Sequence, residues 1–197
     1  MTIIGITGPT GAGKTTALNE LEKLGGVIID CDAVYHELLK SNTALQNELE
    51  NRFGVLTDEN GVFDRKKLGA VVFHDPAALA DLNAIAHRHV VAAVKDILAQ
   101  AEERGVPIAA IDAIALFESG LADLCRATVA IIAPPEIRVE RIMAREGISR
   151  EYAQSRVNAQ NPEEFYTSRC QHTLRNDCAS AAEFGARAEA LFRTILG

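Results

Sequence analysis

Hydrophobic positions along the chain alternate between short continuous runs and longer stretches with apolar residues three and four apart. Thr2-Ile3-Ile4-Gly5-Ile6-Thr7 is a β-branched run closed by Gly8-Pro9, which predicts a buried strand ending in a turn. Ala17, Leu18, Leu21 and Leu24 follow at helical spacing, so a helix is expected over residues 14–24. Gly25-Gly26 stops it, and Val27-Ile28-Ile29 forms a second short strand ending in Asp30-Cys31-Asp32. From there to about residue 105 no strand-like run occurs. Helix-start chemistry recurs instead: Thr43 with Gln46 as a capping box, Asp64 ahead of Arg65-Lys66-Lys67-Leu68, and Asp75-Pro76.

Strands resume over residues 107–112 and 128–133, the second closed by Pro134-Pro135, which suits a helix start. Helices are expected over 135–145 and 149–160, and a fifth strand over 171–174. Ser180 with Glu183 then forms a capping box before an apolar stripe at Phe184, Ala188, Leu191, Phe192 and Ile195. This alternation predicts an α/β fold: a parallel five-stranded sheet with helices on both faces and a ligand crevice at the carboxyl ends of the strands. Residues 1–197 read as one domain, the strandless block 33–105 as an inserted helical lobe that defines a substrate, and residues 136–170 as a helical lid.

Composition narrows the function classes. A chain of 197 residues with 48% hydrophobic and 24% charged residues can bury a core, which excludes disorder. The apolar runs fall short of the roughly 18–20 residues of a membrane span, and the first residues show no secretory pattern, so a cytoplasmic protein is expected. A net charge of −7 argues against nucleic acid or acidic membranes as partners, and any anion site must be local. Cys31, Cys125, Cys170 and Cys178 show no C-x-x-C pair, so reduced thiols are expected, with neither zinc nor disulfides. His87 and His89 stand at i, i+2 and diverge on a helix, so no structural metal is expected. A monomer is the default.

Residues 8–15, Gly-Pro-Thr-Gly-Ala-Gly-Lys-Thr, satisfy G-x-x-x-x-G-K-S/T between a strand and a helix. The glycines let the backbone curl so that successive amides, including those of Gly11, Ala12 and Gly13, point at phosphate oxygens, and the following helix adds its positive end. Lys14 reaches the β and γ phosphates of ATP, Thr15 offers a hydroxyl to Mg²⁺, and Thr16 continues the polar edge. No N-K-x-D run and no L-S-G-G-Q stretch is present, so a small-molecule kinase is favoured over a GTPase switch or a transporter ATPase.

Charged residues fall at the expected rim. Asp32, just after the second strand, is a candidate to accept the acceptor's hydroxyl proton; it also suits an N-cap for a helix beginning at Ala33. Seven of the 14 arginines, Arg138 to Arg175, lie in a stretch without lysine, and Arg141 and Arg145 share a helix face at i, i+4. The competing reading is a solvated helix paired with Glu136, Glu140, Glu146 and Glu151. For Arg141 and Arg145 a charge-stabilising role is favoured. Asp112 ends the third strand as a candidate Mg²⁺ holder through water or a helix cap, and Glu118 follows six residues on.

These residues resemble the dephospho-CoA kinase family over nearly the whole chain. Val27-Ile28-Ile29-Asp30-Cys31-Asp32-Ala33 is similar to its V-I-D-A-D-x motif, and Asp64-Arg65-Lys66-Lys67-Leu68-Gly69-Ala70-Val71-Val72-Phe73 to its D-R-x-x-L-x-x-x-V-F stretch. Ile85-Ala86-His87 matches the start of I-x-H-P, Asp112 to Leu121 resembles D-x-P-L-L-F-E-S-G-L, and Gln160-Asn161-Pro162 looks like Q-x-P. The resemblance implies ATP-dependent phosphorylation of the ribose 3′-hydroxyl of dephospho-CoA, with ATP and Mg²⁺. By the same resemblance Asp32, Lys14 and Arg141 are catalytic, Arg141, Arg145 and Asn176 hold ATP, and Asp32, Arg65, His87, Phe117 and Glu118 hold the acceptor. Arg88, Ile114 and Ala115, and Cys178 depart from the family's prolines, leucine and glycine. The alternatives are another small-molecule kinase of the same loop group, or a non-catalytic ATP-sensing module.

Overall fold

In the computed structural model, which describes residues 1–58 and 62–197, five strands form one sheet in the order β2-β3-β1-β4-β5. Their bounds are β1 Thr2–Thr7, β2 Gly26–Asp30, β3 Ile108–Asp112, β4 Ala127–Ile132 and β5 His172–Arg175. The pairs β1 with β3, β1 with β4 and β4 with β5 are parallel. All six residues of β4 are buried, because helices cover both faces and leave no solvent side on which polar residues could alternate. On one face Ile4, Ile6, Ile108, Val129 and Ile131 pack with Leu18 and Leu21 of α1 (Lys14–Lys23) and with Phe184, Ala188 and Phe192 of α9 (Ala181–Leu196). On the other, Ala130 and Ile132 meet Tyr166 of α8 (Glu163–Thr167).

The chain divides into two compact units, Met1–Ile29 with Gln100–Gly197, and Asp30–Ala99. The second unit contains α2 (Cys31–Ser41), α3 (Thr43–Phe53), α4 (Arg65–Val72) and most of α5 (Pro76–Glu103). Its own core gathers Leu39, Leu45, Leu49, Leu56, Leu68, Val72 and Ile85. In the first unit, α6 (Pro135–Glu146) and α7 (Arg150–Asn158) form a hairpin closed by Val139, Ile142, Ala153 and Val157. No disulfide joins the four cysteines; Cys31 is buried and the others are half-buried. Burial pushes the Cys125 thiol up to about 12 and that of Cys170 to about 11.

Strand ends lie close to those expected from the sequence, but three helix starts differ in their chemistry. Asp30, not Asp32, caps α2: its carboxylate accepts from the amides of Asp32 and Ala33 at 2.9 and 3.0 Å. Asn42 replaces Thr43 as the cap of α3, accepting from the Leu45 amide, while Gln46 donates to the Leu39 carbonyl instead of closing a box. Asp112 caps no helix; the chain turns through residues 114–120 into a short 3-10 segment, Leu121–Leu124, that the apolar pattern did not reveal, and α8 was equally unmarked. Asp64 and Asp75 do cap their helices.

The division of labour between the two aspartates is testable. Asp30→Ala is expected to lower unfolding stability by about 1 kcal/mol, in line with loss of a helix cap. Asp32→Ala should remain within about 0.5 kcal/mol. Urea unfolding followed by circular dichroism separates the two.

Candidate active site

The loop between β1 and α1 is shaped by what its glycines permit. Gly13 caps α1 in the left-handed region at φ 103°, and a Cβ there would lie 2.2 Å from Nδ2 of Asn176. Among the described residues no side chain caps the first amides of α1, and a helix start leaves such groups without intrahelical partners. An anion fits such a place, drawn by amides and by the helix dipole together. Lys14 folds its ammonium over the loop to donate to the Gly8 carbonyl at 3.0 Å. Thr15 is exposed on the first turn and Thr16 half-buried beside it. Asn176, only 4% exposed, comes off the end of β5; its Nδ2 donates to the Ala12 carbonyl at 2.9 Å and its backbone amide to Ile132 at 2.7 Å.

The seven arginines from Arg138 to Arg175 sort into two groups by their partners. Five of the seven hold glutamates: Arg145 and Arg156 pair with Glu146, Arg150 with Glu136, Arg169 with Glu118 and Arg175 with Glu163. The other two turn to the loop. Arg141 donates to the Gly11 and Ala12 carbonyls, at 3.3 Å each, and to Oδ1 of Asn176 at 3.0 Å. Arg138 donates to the Thr10 carbonyl at 3.0 Å and to Oε1 of Gln160 at 2.5 Å. Neither has a carboxylate partner among the described residues, and burial pushes both guanidinium groups below their usual value. The shared helix face of Arg141 and Arg145 therefore does not bring both to the loop; Arg145, with its side chain 58% exposed, stays with Glu146.

At the carboxyl rim of the sheet, Asp112 lies level with Ile6 of β1 and is half-buried. The Ala113 amide after it donates to the Ile6 carbonyl, and the Thr7 hydroxyl to the Ile114 carbonyl. Phe117 is half-buried in the turn that follows. Glu118 is held by Arg169, whose guanidinium stacks 3.9 Å over the Phe165 ring. No cluster of three or more His, Cys, Asp or Glu suited to a metal occurs among the described residues.

Within the second unit, Asp32 is exposed on the first turn of α2, its carboxylate relieved of capping by Asp30. A cavity of about 690 Å³ opens between α2, α4 and α5, with Tyr35, Leu39, Val72 and Leu82 as apolar wall and Arg65, Lys66 and His74 as its basic side chains. Burial pushes the Tyr35 phenol up, partly offset by the nearby Arg65. Arg65 is also 2.9 Å from Nε2 of His36. His87 is half-buried on α5, while His89 and Arg88 both hold Glu48 of α3.

The dephospho-CoA kinase family model matches residues 2–182. The chain belongs to the dephospho-CoA kinase family. It is 36% identical to the dephospho-CoA kinase of Geobacter sulfurreducens, covering 90% of both chains. It is 34% identical to that of Anaeromyxobacter dehalogenans, over 100% of this chain and 93% of the relative. Among solved structures, a Thermus thermophilus protein superposes with a TM-score of 0.81 at 33% identity, covering 100% and 98% of the two chains. The dephospho-CoA kinase of Campylobacter jejuni shares the fold, with a TM-score of 0.61 at 24% identity over 98% and 97%.

Arg138 and Gln160 are the loop contacts that sequence reasoning passed over as site residues. The arginine was one of seven, and only the Q-x-P match pointed at the glutamine. On the partners seen here, Arg141→Ala is expected to weaken ADP binding by about 10- to 100-fold, the range for charge-assisted hydrogen bonds. Arg145→Ala should change it less than about threefold, as for an exposed ion pair. Calorimetric titration of the two variants with ADP checks both.

Proposed function

We propose that this member of the dephospho-CoA kinase family transfers the γ-phosphoryl group of ATP to the ribose 3′-hydroxyl of dephospho-CoA, giving coenzyme A and ADP, the last step of coenzyme A synthesis. The observation that carries the reading is the loop itself: amides at the start of α1 that no described side chain caps, beside two guanidinium groups with no carboxylate partner among the described residues. In a chain of net charge −7, that local positive field favours a polyphosphate.

The roles follow from chemistry. The loop amides and Lys14 bind the β and γ phosphates, Thr16 and Asn176 border the nucleotide, and Arg141 stabilises charge on the transferring group. Asp32 orients the hydroxyl and accepts its proton; freed from capping by Asp30, it has oxygens to spare for a ligand. Phosphoryl transfer asks mainly for positioning and electrostatic stabilisation, so an ordinary carboxylate suffices. The cavity of residues 30–99 receives the acceptor, its apolar wall taking the pantetheine arm and Arg65, Lys66 and His74 its pyrophosphate.

Mg²⁺ fits as an ion carried by the nucleotide. Thr15 and Asp112 offer one hydroxyl and one carboxylate, and Mg²⁺ takes its remaining ligands from phosphates and water. Bound there, it would neutralise charge between the β and γ phosphates.

An ADP-release assay with Mg·ATP and dephospho-CoA, run beside acceptor-free and Asp32→Asn controls with the product identified by mass, tests the reading. Acceptor-dependent ADP with coenzyme A as product is expected. Asp32→Asn should reduce kcat by about 10²- to 10⁴-fold with ATP binding nearly intact. Near-normal kcat in that variant removes Asp32 from the chemistry, and ATP binding without transfer to any acceptor points to the sensing module.

A further inference from the structure

We propose that Arg138 and Gln160 form a clamp that sets the phosphate loop for its nucleotide, acting as positioning residues. The proposal rests on the reading that this loop takes ATP.

Thr10, near the tip of the loop, is held on both sides. Its amide donates to Oε1 of Gln160 at 2.9 Å, and its carbonyl accepts from Nε of Arg138 at 3.0 Å. Arg138 closes the ring by donating through its terminal nitrogen to the same Oε1 at 2.5 Å. The two lone pairs of one amide oxygen thus serve two donors. The Thr10 amide belongs to the peptide shared with Pro9 and its carbonyl to the peptide shared with Gly11, so two successive peptide planes are pinned. With them fixed, the direction in which the following amides point is set before any phosphate arrives. That preorganisation lowers the ordering cost of binding.

The close approach behind the clamp needs a glycine. Gly11 has φ 81°, and a Cβ there would lie 2.9 Å from the Arg138 carbonyl and 3.1 Å from its Cα. The loop therefore packs on the backbone of α6 itself. The two clamp residues come from opposite arms of the helical hairpin, Arg138 from α6 and Gln160 just beyond α7. Their separation is set by the packing of Val139 and Ile142 on Ala153 and Val157. A shift of the hairpin is thereby transmitted to Thr10.

Arg138 is also suited to the task by its surroundings. It is 6% exposed and, among the described residues, bonded to neutral oxygens only. Its positive charge is left for an anion, while the five glutamate-paired arginines of the same region have spent theirs.

Gln160→Leu, which removes the shared oxygen, and Gln160→Glu, which keeps it, separate positioning from bulk. Each is compared with the unsubstituted chain by calorimetric ADP titration, by steady-state kinetics and by thermal unfolding. Gln160→Leu is expected to weaken ADP binding about tenfold, the effect of losing roughly one to two hydrogen bonds at a site. The effect should fall on KM for ATP more than on kcat, with KM for dephospho-CoA unmoved. Gln160→Glu keeps the oxygen but sets a carboxylate on Arg138, so it should recover the Tm of the unsubstituted chain while its ADP affinity stays reduced. Unchanged ADP affinity in Gln160→Leu overturns the clamp. A fall in Tm with ADP affinity intact likewise reduces the pair to a structural tie. Because ADP binding is read without acceptor, a chain that binds ADP through the clamp but phosphorylates no dephospho-CoA leaves the clamp standing and sinks the proposed reaction alone.

Discussion

A guanidinium group taken from water and given only neutral oxygens as partners is unfavourable unless an anion completes its surroundings, and the loop between β1 and α1 is bordered by two of them. Arg138 and Arg141 rest on the carbonyls of Thr10, Gly11 and Ala12. The amides at the start of α1 have no capping side chain. Both features leave positive potential at one place in an acidic chain, and both are relieved by the same ligand, a polyphosphate. The left-handed Gly13, the buried Asn176 and the α6–α7 hairpin all serve that arrangement.

The residues read from the sequence as departures from the family's motifs have local roles in the structure. Arg88, in place of a proline on α5, pairs with Glu48 of α3 and so ties two helices of the second unit together. His89 holds the other oxygen of Glu48, and together they keep that carboxyl below its usual range. Ile114 turns its carbonyl to the Thr7 hydroxyl at the end of β1, and Ala115 accepts from Ser119. Backbone groups make both contacts, which a change of side chain need not disturb. Cys178 packs against the main core beside α9. Of these residues Cys178 lies within electrostatic reach of the Arg141 guanidinium, whereas Arg88, Ile114 and Ala115 make their contacts elsewhere.

Glutamates decide which arginines from Arg138 to Arg175 remain available. Of the seven guanidinium groups from Arg138 to Arg175, five meet a carboxylate and are held there. The remaining two project from α6 toward the loop, Arg138 from a buried and Arg141 from a half-buried position, and carbonyls there take the place of carboxylates. Exposure follows the same division: Arg138 is buried and Arg141 half-buried, whereas Arg145, four residues beyond Arg141, is exposed.

What the sequence could determine was local in its physics. The β-branched run before Gly8, the spacing of Gly13, Lys14 and Thr15, the apolar stripe from Phe184 to Ile195 and the caps at Asp64 and Asp75 each depend on residues a few positions apart. Such signals survive without tertiary contacts. Competition between neighbouring caps was less legible: Asp30 and Asp32, or Asn42 and Thr43, are equally able to accept an amide, and backbone geometry at the helix entrance chose between them. The strand order and the sorting of arginines lay beyond the sequence because both are long-range. Thr10 meets Arg138 across 128 positions and Gln160 across 150, and Asn176 meets Ala12 across 164. Only the parallel sheet, which brings the ends of β1, β4 and β5 to one rim, could set those groups side by side.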